Sequence, residues 1–275
     1  MKMKITYLGT AAFEGVPALF CSCPVCEEAR RLGGKNIRTR SQALINEDLL
    51  IDFNADTFTH FLKGNHDIRK VENCLITHSH CDHFYPDDME MARTDFIHGE
   101  QHGIDYYAGV SAINQMKPFE IRSWMKGVMK THLVEAYKPF KAGRYDVLPL
   151  PANHDPLSSP FIYAISDGEK KMLYGNDTWK LFDGCYPALQ KFGRLDLVSL
   201  DCTGMKETGW MGSHMTLDLV LEVLDRMEKD GIIDDKTIRI VNHFSHNGGI
   251  NHDAFEKMCE PYHILVSYDG MEIDF

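Results

Sequence analysis

Residues 77–83 read THSHCDH, three histidines and one aspartate within seven positions, and they follow the apolar run NCLIT (73–77). His78, His80, Asp82 and His83 form the pattern H-x-H-x-D-H. Alternate residues leaving a strand project to the same side, so His78 and His80 can converge on one ion. Asp82 and His83 follow as the chain turns and can reach a second ion. Imidazole nitrogens and a carboxylate suit Zn²⁺ or Mn²⁺. As ordinary turn residues, such a cluster would be an improbable coincidence.

Four residues do not complete two metal sites. Three later stretches share one form, an apolar strand followed by a single ligand at its C-terminal mouth. LPLPANHD delivers His154 after 145–150, MLYGNDT delivers Asp177 after 170–175, and IRIVNHF delivers His243 after 237–242. Each alone would read as a turn residue or a local cap. With 77–83 they complete a set.

A second cluster lies near the start. CSCPVC (21–26) places Cys21, Cys23 and Cys26 close enough to grip one ion, and tetrahedral structural zinc takes four thiolate or imidazole ligands. His246, three residues after His243, is one candidate for the fourth position and His252 is the other. A surface histidine remains the plain alternative for both. Cys74, Cys81, Cys185, Cys202 and Cys259 are scattered and read as buried thiols.

Composition narrows the class. The chain has 275 residues, 44% hydrophobic and 25% charged, with a formal charge of −11. That is ordinary for a globular protein, and a large basic nucleic-acid surface is not expected. No apolar run approaches the roughly 18–20 residues of a membrane helix. MKMKITYLGT reads directly as a strand rather than a signal peptide, so a cytoplasmic location is expected. No repeats or linker-like tracts interrupt the chain, which suits a single domain over 1–275.

Short β-rich runs dominate: 4–10, 42–53, 73–77, 105–110, 132–137, 145–150, 161–175, 196–201, 237–242 and two runs from 263 onward around an Asp-Gly turn. Helical patterns cover 24–32, 55–63, 178–192, 216–230 and 251–260. In 216–230, Leu217, Val220, Leu221, Leu224 and Met227 fall on one face and predict core packing. Strands with helices between them suggest two packed sheets with helices outside. The less regular stretch 84–131, with two helix pieces, is either an ordinary connection or a substrate wall or lid.

Taken in order, Asp52 in LLIDF, THSHCDH, His154, Asp177 and His243 resemble the metallo-β-lactamase fold superfamily over nearly the whole chain. The resemblance implies an α/β (α+β) fold, a four-layer αββα sandwich of two mixed sheets, with a two-metal site along one edge. It implies that His78, His80 and His154 hold one divalent ion and that Asp82, His83 and His243 hold the other. Asp177 would bridge the two together with a hydroxide, and Asp52 would orient the metal-binding loop without being a ligand. The opening YLGTAAFEGVPALFCSCPVCEEAR (7–30) is similar to that of the phosphonate-pathway phosphodiesterases, which open a ribosyl cyclic phosphate. They combine Gly-Thr, Gly-Val-Pro and C-x-C-x-x-C with a late H-x-x-H pair, and their cysteines and second histidine hold structural zinc. This implies one structural Zn on Cys21, Cys23, Cys26 and His246. The sequence departs from many relatives at FYPDDM (84–89), where they carry a glycine-containing turn.

The expected activity is metal-dependent hydrolysis of a small or cyclic phosphodiester. Two close ions can stabilise both attacking and leaving oxygens, with Asp82 and Asp177 in the catalytic set. His214, in GSHMT before the helix at 216, is a candidate general acid or phosphate contact; its plain reading is a helix N-terminal histidine. His98 and His102 could edge the pocket but fit exposed loop positions better. His60, His66, His132 and His263 read as structural or surface residues. A lactonase or thioesterase on the same site is the alternative, and a non-catalytic carrier protein of cofactor biosynthesis is another. A homodimer is possible, and neither a membrane nor an extended nucleic-acid partner is expected.

Overall fold

The computed structural model describes residues 2–99, 102–206 and 213–275. Strands β1 (Lys4–Gly9), β2 (Gln42–Ile45), β3 (Leu49–Ile51), β4 (Asn73–Leu75), β5 (Ile104–Ala108) and β6 (Met129–Leu133) lie side by side in that order. A second sheet runs from β7 (Phe140–Ala142) through β8 (Tyr145–Pro151), β9 (Phe161–Ser166), β10 (Lys171–Gly175), β11 (Leu197–Asp201) and β12 (Ile238–Asn242) to β13 (Ile264–Val266). The last strand, β14 (Met271–Asp274), returns to pair antiparallel with β1. Both sheets are mixed: β3 to β6 run parallel, as do β10 to β13, and the hairpins are antiparallel.

Strand alternation separates the layers. Ile5, Tyr7, Ala43, Ile45, Leu49, Ile51 and Leu75 from the first sheet pack with Val147, Tyr163, Ile165, Met172, Tyr174 and Ile240 of the second. The intervening residues point outward, because side chains on a strand alternate faces. From the first sheet, Leu44, Leu50, Cys74 and Ile76 meet Ala112, Ile113 and Met116 of helix α3 (Val110–Glu120). From the second, Leu148, Ile162, Leu173 and Val198 meet helices α4 (Cys185–Phe192), α5 (Leu217–Lys229) and α6 (His252–Cys259). Helices α1 (Pro24–Leu32) and α2 (Thr57–Lys63) complete the set. The result is the four-layer αββα sandwich expected from the sequence.

Several boundaries differ. The run 132–137 was expected as a strand, but β6 ends at Leu133. Val134 N–H donates to Ala108 of the first sheet and Tyr137 N–H donates to Pro149 of the second, so 134–137 is the crossover between sheets. The helix expected over 178–192 begins only at Cys185. Residues 178–179 are held instead by the loop after β8: Asn153 N–H donates to Thr178 Oγ1 and Trp179 N–H donates to Asn153. On α5, Val223 is buried while Leu221 is only partly buried. Cys81 is exposed rather than a buried thiol, because its neighbours in the H-x-D turn take the inward positions. Residues 100 and 101, inside the irregular stretch 84–131, lie outside the described residues. No helix among the described residues is long and apolar enough to cross a membrane.

One glycine sets the entry into the site. A Cβ on Gly9 would stand 2.1 Å from the Arg40 carbonyl oxygen and 2.9 Å from Thr39 Oγ1. Backbone cannot give way as a flexible side chain can. Gly9→Ala is expected to destabilise the fold by about 2–3 kcal/mol, read as a lower urea midpoint at unchanged slope. An unaltered midpoint would mean that the 39–40 segment shifts freely.

Candidate metal centre

Strand ends deliver every candidate donor of the centre and the carboxylate behind it. Asp52 follows β3, the 78–83 segment follows β4, His154 follows β8, Asp177 follows β10 and His243 follows β12. Three of these residues adopt left-handed backbone: Asp52 (φ 68°), Asp177 (φ 54°) and His243 (φ 66°). Such conformations are uncommon for residues other than glycine and cluster at functional sites. Here the chain turns sharply off the strand and points the side chain back over the sheet edge.

Two groups of donors result. His78, His80, His154 and Asp177 form one, and Asp82, His83, Asp177 and His243 form the other, each with donor atoms within 4.8 Å of one another. Asp177 is common to both. Within the first, His78 Nε2 lies 3.0 Å and His154 Nε2 3.2 Å from His80 Nδ1. Within the second, His83 Nε2 and His243 Nε2 are 3.2 Å apart. Tetrahedral zinc with Zn–N bonds of about 2.0–2.1 Å would place neighbouring nitrogens roughly 3.3 Å apart. Among the described residues, His154 Nδ1 and Asp177 Oδ1 are buried without a hydrogen bond, and native structures rarely leave such atoms unsatisfied. The donor types and their spacing fit divalent metal.

Charge and tautomer are controlled from behind. The Asp52 carboxylate is fully buried and accepts from His83 Nδ1 (2.6 Å), the Thr77 backbone N–H (2.7 Å) and Thr77 Oγ1. This bond turns His83 Nε2 toward the centre, the arrangement seen where a carboxylate supports a ligating histidine. His80 Nε2 meets Asp155 Oδ2 at 3.2 Å, leaving Nδ1 to face inward. Burial lowers His78 to a pKa of about 4, the neutral form a metal requires. Burial also works against charge on His83, yet Asp82 and Asp52 hold it well above the ordinary histidine value.

His214 completes a third grouping with Asp177, Asp201 and His243. Its Nδ1 lies 3.2 Å from both Asp201 Oδ2 and Asp177 Oδ1. Asp201, fully buried at the end of β11, also accepts from Thr203 Oγ1 and from the Thr203 and Met215 backbone N–H groups. Thr203 Oγ1 in turn stands 2.7 Å from His243 Nδ1. Burial disfavours the imidazolium at His214, but Asp201 and then Asp177 lift its pKa to about 9. Asp155, Asp201 and Thr203 were not singled out from the sequence; an acidic residue or threonine just past a strand is too common to stand out.

The cysteine cluster closes on His246. Its Nδ1 lies 3.4 Å from Cys23 Sγ and 3.7 Å from Cys21 Sγ, and Cys26 joins the same group. Zn–S bonds of about 2.3 Å and Zn–N bonds of about 2.05 Å would separate sulfur and nitrogen by roughly 3.6 Å. Burial raises the cost of a thiolate at Cys23, but the Cys26 backbone N–H and His246 bring its pKa down to about 6. His252, the competing ligand, is engaged elsewhere: its Nδ1 meets the buried Arg38 guanidinium at 2.8 Å.

A cavity of about 320 Å³ opens beside the centre. Its lining comes from residues 12–14, 80–82, 154, 177, 203, 214, 243, 245 and 247, and among the described residues none lies in 84–131. His98 and His102 are exposed and away from it.

Comparison with known proteins places this arrangement in a family. A profile described as a β-lactamase superfamily domain matches residues 48–233, about two thirds of the chain, and the protein belongs to that superfamily. No curated protein sequence is detectably similar. Among solved structures, a diphosphatase from the PhnP family is similar with a TM-score of 0.77 and 20% identity, covering 100% of this chain and 98% of that one. Zn²⁺-bound PqqB from Methylobacterium extorquens is similar with a TM-score of 0.76 and 17% identity over 99% and 100%. The short form of human tRNase Z follows at 0.65 and 16%, over 98% of each chain. These likenesses show the fold.

Asp52→Asn keeps the shape but not the charge behind His83. It is expected to weaken zinc binding at the centre by about 10–100-fold, measured by chelator competition. Unchanged affinity would show that Asp52 only holds the backbone of Thr77. Cys23→Ser is expected to remove one zinc per chain and to lower the unfolding midpoint, read by metal analysis and thermal melting.

Proposed function

We propose that this protein is a metal-dependent phosphodiesterase acting on a small or cyclic phosphodiester. One observation carries the reading: His214 borders the cavity next to Asp177, with its proton held by buried Asp201. Cleavage of an alkyl phosphodiester releases an alkoxide, which needs a proton in the transition state. A histidine backed by a carboxylate is suited to give it. With Nδ1 turned to Asp201, Nε2 is the atom that delivers the proton.

The other residues bind and orient. His78, His80 and His154 would hold one divalent ion, Asp82, His83 and His243 a second, with Asp177 shared between them. When bound, such ions supply Lewis-acid charge to the phosphoryl oxygens and lower the pKa of water. Asp52, Asp155 and Thr203 hold the imidazoles of His83, His80 and His243 in the tautomers that point lone pairs inward. The small cavity supports a small substrate, and the formal charge of −11 disfavours an extended nucleic-acid surface. Cys21, Cys23, Cys26 and His246 would hold one structural zinc that pins the N-terminal loop to the segment after β12.

The test is hydrolysis of bis(p-nitrophenyl) phosphate by Mn²⁺- or Zn²⁺-loaded protein. Asp177→Ala is expected to abolish it. His214→Asn is expected to lower kcat by about 100-fold or more on a diester with an alkoxide leaving group. On the p-nitrophenyl ester the loss is much smaller, because p-nitrophenolate leaves without a proton. Equal losses on both would remove His214 from the acid role. Metal-loaded protein that cleaves lactones or thioesters but no diester would replace the proposed reaction with carbonyl chemistry.

A further inference from the structure

Glu14 sits between the two ligand clusters and belongs to neither. Its Oε1 accepts a hydrogen bond from Ser245 Oγ at 2.5 Å and faces His246 Nε2 at 3.7 Å. His246 Nδ1, on the other side of the ring, faces the cysteine sulfurs. The glutamate is therefore held by the segment that carries both His243 and His246. Its side chain is 30% exposed and borders the cavity with Phe13 and Asn247. Among the described residues, no hydrogen bond or ion pair engages Oε2.

An ionised carboxylate only accepts hydrogen bonds, and it repels a phosphate placed against it. It must therefore meet a part of the substrate that donates and that carries no negative charge. The amide of Asn247 brings a donor and an acceptor to the same wall. Hydroxyl groups, which both donate and accept, match that pair better than an ammonium, which only donates. Phe13, 58% exposed, adds an apolar face beside them.

Building on the phosphodiesterase reading above, we propose that Glu14 determines specificity by binding a hydroxyl group on the alcohol portion of the substrate. Residues 13–14 and Asn247 form the subsite, and the preferred phosphodiesters are those with a hydroxylated alcohol. Because Ser245 holds the carboxylate beside His246, the segment that closes the cysteine clasp also positions this subsite.

Three esters with the same leaving group test this on the metal-loaded full chain: thymidine 5′-(p-nitrophenyl phosphate), p-nitrophenyl phosphocholine and bis(p-nitrophenyl) phosphate. The first carries a hydroxyl, the second a cation with no donor, the third neither. In Glu14→Gln the preference in kcat/KM for the thymidine ester over the bis ester is expected to fall about tenfold, mainly through KM. Zinc content is measured alongside. Asn247→Ala, at a second residue of the cavity wall, should reduce the same preference at unchanged zinc content. An unchanged preference in both variants overturns the subsite. A fall for the phosphocholine ester as large as for the thymidine ester overturns hydroxyl recognition in favour of charge. Parallel loss on all three esters with loss of zinc reduces Glu14 to support for His246. Wild-type protein that cleaves none of the three overturns the phosphodiesterase reading itself, and this subsite with it.

Discussion

The bond from His83 Nδ1 to the buried Asp52 carboxylate is the contact on which the rest of the centre depends. Lone pairs aimed at a common point repel one another. Asp52 opposes that repulsion from outside. It fixes one imidazole directly and, through the Thr77 backbone N–H and hydroxyl, the start of the segment carrying His78, His80 and Asp82. Asp52 is itself tied down, since its backbone N–H donates to Leu75 and its carbonyl accepts from Gln42 Nε2. Gln42 Oε1 then meets His60 Nδ1, and His60 Nε2 meets Thr39 Oγ1. A histidine read from the sequence as structural or surface is thus part of a buried chain that ends at a ligand. Burial lowers its pKa to about 4 and keeps it neutral.

The same logic explains why the ligands come from strand ends. A sheet edge is rigid, so a side chain projecting from it loses little further freedom on ligand binding. Left-handed turns at Asp52, Asp177 and His243 carry a local conformational cost, and the hydrogen bonds of the two sheets offset it. Parallel strands β10, β11 and β12 bring Asp177, Asp201 and His243 to one level in a single stroke. Asp201 ends its strand in register with Asn242, immediately before His243.

Much of this was legible because strand and ligand form a local pattern. An apolar run that stops at a histidine or aspartate can be seen in one sequence, and so can H-x-H-x-D-H. Two packed sheets with helices outside were legible from the order of strand and helix patterns, and the four-layer sandwich from the family resemblance. Groups that act only across space were not. Asp201 looks like any acid after a strand, and its importance appears only when β11 lies beside β12. Residues 134–137 look like a strand, yet their N–H groups bond to different sheets. The exposed Cys81 follows from a turn geometry that composition does not reveal. Only the family resemblance favoured His246 over His252 in the sequence; the physical reason, the contact of His252 with Arg38, spans 214 positions of the chain.

Arg38 also shows why the cysteine clasp and the centre form one unit. Its guanidinium donates to Thr10 Oγ1 and to the Ser267 carbonyl and lies 4.2 Å over the Phe244 ring. Phe244 is the residue between the candidate ligand His243 and the segment leading to His246, and its backbone bonds Thr10 and Ala12, just past the end of β1. The segment 243–246 is therefore gripped twice, by a buried cation on one side and by the cysteine loop on the other. Cys21 and His246 are 225 positions apart, so a bond between them removes substantial freedom from the unfolded chain, although the gain grows only slowly with loop length. In the folded state its effect is more local. Any change in the clasp moves His246, and with it Glu14, Ser245 and the cavity wall, while Arg38 and Thr203 still hold Phe244 and His243. The clasp therefore governs the shape of the substrate wall more directly than it governs the metal ligands.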